Sequence, residues 1–189
     1  MKILRIDDVS INTDWKKLYA MVHYAVEFFN SIWLNVSIGV QIGGRLSERP
    51  HDKTLEPLSD YTVFYNVNKI EIPTGIGKIV DTCPRNIKVT SHGLIHVDHI
   101  LLHKSAQEMS IKISCSMLNT NIFVPPLNHW NFDTENICRN NGIKLIKYED
   151  GWLHCSYNKF DRKSTGLWYT HSFNFASGGE FQKWLLNTK

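Results

Sequence analysis

The chain lacks most of the signatures that announce a function. It has four cysteines in 189 residues, and Cys83, Cys115, Cys138 and Cys155 form no CxxC pair. That spacing excludes a zinc ribbon and reads as reduced thiols in a cytoplasmic protein. No apolar run approaches about 18 residues, so no membrane span is expected. Charge of one sign is scarce too. The 21 Lys and Arg nearly balance the 18 Asp and Glu, leaving +3. A nucleic-acid partner is permitted but not demanded. The opening "MKILRIDDVS" is broken by Asp7 and Asp8 and is not a signal peptide. There is no GxGxxG, no GxSxG elbow and no Walker loop, since "TGIGK" (74–78) lacks the Ser or Thr that should follow.

What remains is a chain able to bury a core, with 42% hydrophobic and 12% aromatic residues. Residues 2–11 read as a strand. From Leu18 the apolar residues fall at Met21, Val22, Ala25, Phe28, Phe29 and Ile32, the spacing of an amphipathic helix. "NVSIGVQI" (35–42) and "YTVFYNVNKIEIP" (61–73) read as further strands. "NIKVT" and "MSIKISCSML" favour strand, and "GIKLIKY", "WLHCSYNK" and "GLWYTHSFNF" look like a three-strand meander. The expectation is α+β, with a ferredoxin-like β-α-β half over 1–80 and a β-rich half over 81–189, or one continuous domain.

"SHGLIHVDHILLH" (91–103) carries four of the nine histidines, at 92, 96, 99 and 103. On a helix these steps put all four imidazoles on one face, a metal-binding pattern. The hydrolytic HExxH base is missing from both frames, since Gly93 and Ile100 stand in its place. Gly93 and the branched residues pull toward a strand, which pairs His92 with His96 on one face and His99 with His103 on the other.

Elsewhere Asp7-Asp8 and Glu149-Asp150 read as turn or solvent residues, because neighbours on a strand point apart. His23 lies at the flank of the first helix and suits either a general base or a histidine held by a local hydrogen bond. Lys144, Lys147, Lys159, Arg162 and Lys163 interleave with Trp168 and other aromatics. That mixture suits RNA phosphates and bases, and it equally suits a sheet's core face.

Five short segments resemble the repeat-processing CRISPR endoribonucleases of the type I-F kind. "MKILRIDDVSI" matches the first strand, "KLYAMVHYAVEFF" the helix bearing the catalytic histidine, and "SIGVQI" the next strand. "HKSAQE" is similar to the step before the RNA-binding helix, and "ASGGEFQKWL" to the C-terminal end. The resemblance implies a ferredoxin-like fold and metal-independent cleavage of structured RNA. His23 would be the base, with Ser156 or Ser164 in support, and His103 and Lys104 on the RNA. No cofactor would be needed. The chain departs from the family where an arginine-rich helix should follow, for "MSIKISCSMLNTN" has one lysine and no arginine. Two other readings stand beside this one. One is a virus- or mobile-element-encoded assembly protein with protein partners. The other is a metal-dependent hydrolase built on His92, His96, His99 or His103.

Overall fold

The computed structural model describes residues 2–41, 67–82, 86–150, 153–154, 166–171 and 173–186. The strands are β1 (Ile3–Val9), β2 (Ser31–Val36), β3 (Gly39–Gln41), β4 (Val67–Ile70), β5 (Ile87–Ser91), β6 (Ile122–Phe123), β7 (Lys144–Leu145), β8 (Leu153–His154) and β9 (Leu167–His171). The helices are α1 (Trp15–Ala25), α2 (Gly75–Thr82), α3 (Lys104–Met117), α4 (Phe132–Asn140) and α5 (Gly178–Leu186). Among the described residues no helix is long and apolar enough to cross a membrane.

Seven strands form one sheet in the order β7-β6-β5-β2-β1-β9-β8, and β3 pairs antiparallel with β4 in a separate ribbon. Within the large sheet β1 runs parallel to β9, β9 to β8, β5 to β6 and β6 to β7. Parallel neighbours need a crossover, and α3 and α4 supply those between β5, β6 and β7. A ferredoxin-like half is antiparallel, so that expectation is corrected. The meander is corrected as well, because β7 and β8 lie at opposite edges of the sheet and β8 and β9 are parallel. "MSIKISCSML" is helix α3, not a strand.

The chain divides into two compact units, Met1–Asn35 with Pro73–Val89 and Tyr148–Lys189, and Val36–Ile72 with Thr90–Lys147. In the first, β1 buries Ile3, Leu4, Ile6 and Val9. Helix α1 begins at Asp14, whose carboxylate accepts the Lys17 amide at 3.1 Å, and buries Leu18, Met21, Val22 and Ala25. Phe175, Phe181 and Trp184 pack ring on ring at 5.0–5.7 Å. Gly178, at the start of α5, lets that helix approach α1, since a Cβ there would lie 2.4 Å from the Ala20 Cβ. Gly178→Ala is therefore expected to lower stability by about 1–3 kcal/mol. Ala20→Gly in the same chain should recover part of it, read from urea denaturation midpoints.

In the second unit Ile111, Cys115, Phe123, Ile137 and Cys138 form one apolar cluster, and Ile95, Val97, Leu102 and Ala106 another. Asn131 and Thr134 cap α4 reciprocally. The Thr134 hydroxyl donates to Gln107 Oε1 at 2.6 Å, and Gln107 Nε2 donates to the Leu102 carbonyl at 3.1 Å. This buried polar chain ties α4 to α3.

Candidate metal centre

Strand β1 carries Arg5, Asp7 and Asp8. Arg5 and Asp7 share a strand face, and both are buried, at 0% and 2% exposure. Arg5 Nη2 donates to Asp7 Oδ2 at 2.9 Å, and Asn35 Nδ2 donates to Asp7 Oδ1 at 2.5 Å. Both carboxylate oxygens are thus held, which fixes the group's orientation. Asp7 is neither a turn nor a solvent residue, and the sequence reading is corrected on that point.

On a regular strand Asp8 would point away from Asp7. It does not follow the pattern, because its φ is +59°, in the left-handed region. A non-glycine residue held there costs on the order of 1 kcal/mol, and such strain gathers at functional sites. Asp8 Oδ2 lies 3.8 Å from Nε2 of His171, which closes β9 opposite Asp7.

The histidine stretch is neither strand nor helix through its middle. β5 stops at Ser91, the chain loops over 92–98, and a 3₁₀ turn follows at His99–Leu101. Gly93 has φ +87°, which an L side chain rarely adopts, so glycine is required there. The loop is pinned by hydroxyls. Gly93 N donates to Ser91 Oγ at 3.2 Å, and Leu94 N to Ser110 Oγ at 3.0 Å.

This loop brings the His92 and His96 rings to 5.2 Å, centroid to centroid. His92 Nδ1 lies 2.8 Å from the Val124 carbonyl. A carbonyl only accepts, so Nδ1 carries the proton and Nε2 is the acceptor nitrogen of the ring, the kind of atom that ligates a metal. Within the second unit His92 and His96 each offer an imidazole nitrogen, and within the first Asp8 offers a carboxylate oxygen. One carboxylate oxygen and two imidazole nitrogens suit zinc and related divalent ions. The donor set and the tautomer both fit such an ion.

The other two histidines of the stretch do not join them. His99 is fully buried, 5.1 Å from the Phe123 ring, and burial lowers its pKa from 6.5 to about 4. His103 is exposed at the start of α3, with Lys104 exposed beside it. Asp98, buried at 2%, accepts the Ile100 amide at 3.2 Å and sits 2.9 Å from His129 Nδ1.

The remaining sequence candidates are dispersed. His23 is exposed on α1, its ring stacked 6.4 Å from Tyr19. Lys144 is exposed on β7. Lys147 pairs with Glu135 at 2.8 Å and lies 3.9 Å from the centre of the Trp130 ring. Trp168 packs edge-on against Phe29 at 5.5 Å. Ser156, Ser164, Lys159, Arg162 and Lys163 lie outside the described residues, as do Cys83 and Cys155. Burial raises the Cys115 thiol to about 11 and the Cys138 thiol to about 12, which rules both out as thiolates near neutral pH.

No family model matches the chain, and no curated protein matches it by sequence. Solved structures do share the fold. A family 4 carbohydrate esterase from Streptomyces lividans in complex with acetate matches over 98% of this chain and 85% of its own. Its TM-score is 0.59, at 9% identity. The peptidoglycan deacetylase PdaC from Bacillus subtilis, as a mutant, matches over 98% and 82%, with TM-score 0.59 and 10% identity. A family 4 pseudoenzyme from Bacillus anthracis matches over 99% of this chain and 60% of its own, with TM-score 0.58 and 10% identity. At such identities the likeness is one of fold. It overturns the resemblance to CRISPR endoribonucleases. With that go the expected RNA binding, the nuclease activity and the role in antiviral defence.

Proposed function

We propose that the chain is a metal-dependent deacetylase acting on acetylated sugars. The observation that carries this reading is the paired His92 and His96 rings on a fold shared with carbohydrate esterases and deacetylases, and we assign Asp8 as the carboxylate ligand beside them. Water is added across the acetyl C–N or C–O bond, giving acetate and a free amine or hydroxyl. A divalent ion bound by the three side chains would polarise the acetyl carbonyl and the attacking water.

The protein's own residues divide the rest. Asp7 takes the proton from water. Arg5 and Asn35 hold its two oxygens, and each oxygen keeps a second lone pair for that task. His171, 3.8 Å from Asp8, gives a proton to the departing nitrogen or oxygen. Asp8 is the ligand best set for this chemistry, since its left-handed backbone directs the carboxylate out of strand alternation. The free thiols of Cys115 and Cys138, in one apolar cluster, suit a reducing cytoplasmic setting.

The test is acetate release from N-acetylglucosamine oligomers and acetylated xylan by protein loaded with zinc or cobalt, against chelated protein. Metal-dependent release is expected. Asp7→Asn should bind metal normally yet lose at least about 100-fold in turnover. No acetate from any acetylated sugar with any divalent ion would overturn the reading.

A further inference from the structure

We propose that Phe173 and Tyr148 are specificity-determining residues that seat a chain of linked sugars along an aromatic strip leading to Asp8. The inference rests on the deacetylase reading and names what that site holds beside the acetyl group.

Four rings follow one another within the first compact unit. Phe173 stacks on His171 at 5.1 Å with planes 20° apart. His171 meets Tyr169 edge-on at 5.9 Å, and Tyr169 meets Tyr148 edge-on at 6.0 Å. Beneath the strip the Arg5 guanidinium lies 4.7 Å from the centre of the Tyr169 ring. The two inner rings are partly covered, but Phe173 is 64% exposed and Tyr148 44% exposed. The strip therefore ends in an open aromatic side chain on each side. Next to its Phe173 end, His171 reaches Asp8.

Scattered exposed apolar residues need no explanation. These two are not scattered, since both pack onto rings of β9 that lead to Asp8. Aromatic faces offer large, rigid apolar area, and sugar rings present C–H faces that fit it while their hydroxyls stay in water. Phe173 takes the sugar beside the acetylated one, and Tyr148 takes a more distant unit. A single sugar would reach His171 and Asp8 without using both ends, so the strip selects oligomers over monomers.

The experiment separates binding from turnover. Binding of N-acetylglucosamine monomer and tetramer is measured by ligand-observed NMR on metal-free wild type, Phe173→Ala, Phe173→Trp and Tyr148→Ala, with turnover on the same ligands after zinc loading. The tetramer is expected to bind wild type more tightly than the monomer. Phe173→Ala should weaken tetramer binding about 10-fold and raise KM with kcat unchanged. Phe173→Trp should restore it, and Tyr148→Ala should show a smaller loss. Equal tetramer affinity in wild type and Phe173→Ala would overturn the inference even if acetate is released. Acetate release from no sugar, with tetramer binding still dependent on Phe173, would sink the deacetylase reading and leave the strip standing.

Discussion

Asp8→Gly is expected to make the metal-free protein more stable while abolishing the metal binding and deacetylation proposed above. Asp8 sits at φ +59°, where glycine fits without strain. Relief of about 1–2 kcal/mol is offset by the roughly 0.5–1 kcal/mol entropic cost of a glycine, leaving a gain of up to ~1.5 kcal/mol. The loss at the metal is much larger. With one of three protein ligands gone, zinc affinity should fall by more than the ~100-fold typical of losing a second-shell partner. Asp8→Asn is the companion, since Asn tolerates the same backbone but brings no charge to the ion. Urea denaturation in chelator and zinc titration by calorimetry read the two effects separately. A destabilised apo Asp8→Gly, or one that keeps wild-type zinc affinity, would remove Asp8 from the role assigned to it.

The second large effect is acid sensitivity centred on His99. The folded protein holds this imidazole neutral down to about pH 4, chiefly through burial, while an unfolded histidine protonates near 6.5. Above pH 6.5 neither state takes the proton, and His99 contributes no pH dependence. As pH falls below 6.5 the unfolded chain binds a proton that the folded chain refuses, so stability falls with pH. The loss amounts to about 2 kcal/mol by pH 5 and about 3 kcal/mol once pH drops below 4. Burial is the largest cause; His92 and His96 push the same way, while the Val97 hydrogen bond and the Asp98 charge oppose it without overcoming it. The local consequence is specific. His99 Nδ1 donates to the Val97 carbonyl at 3.1 Å, so Nε2 accepts from the Ser110 hydroxyl at 3.2 Å. Ser110 Oγ in turn accepts the Leu94 amide. Protonation turns Nε2 into a donor and disturbs the serine that pins the loop between His92 and His96. Denaturation curves at pH 7, 6 and 5 should show this slope in wild type and a flatter one in His99→Gln. Parallel curves would show that another group carries the acid sensitivity.

The first helix was legible because Leu18, Met21, Val22 and Ala25 keep a strict helical step and are all buried. Helix α3 was not. From Met109 to Met117 its apolar and polar residues alternate, as a strand's do. Its buried residues, Ala106, Gln107, Ser110, Ile111, Ser114 and Cys115, do keep the helical spacing, but half of them are polar. Ser114 Oγ lies 2.6 Å from Ser91 Oγ, and Ser110 holds Leu94 and His99. The helix buries hydroxyls because its task is to hold the histidine loop, and hydropathy does not register that. Strands β6, β7 and β8 are two residues each, too short to show a period.

The metal centre was half legible. His92 and His96 stood out by their spacing, yet the geometry that unites them is a loop bent at Gly93. Asp7 and Asp8 were set aside on the rule that strand neighbours diverge, and one left-handed residue breaks that rule. His171 carries no motif in the sequence that would single it out. Only its register opposite Asp7 brings it to the site.

The register that pairs Ile3 with Leu167 also joins two segments far apart in the chain, and that distance bears on folding. During synthesis β1 is made long before β9, the strand it lies against. Until then an apolar strand waits with one edge open, the kind of edge that recruits other chains. Pairing over such a sequence distance is slow, because the loop-closure entropy is lost before the contact is gained. A yield that rises at lower growth temperature or with added chaperone is the expected mark of that separation.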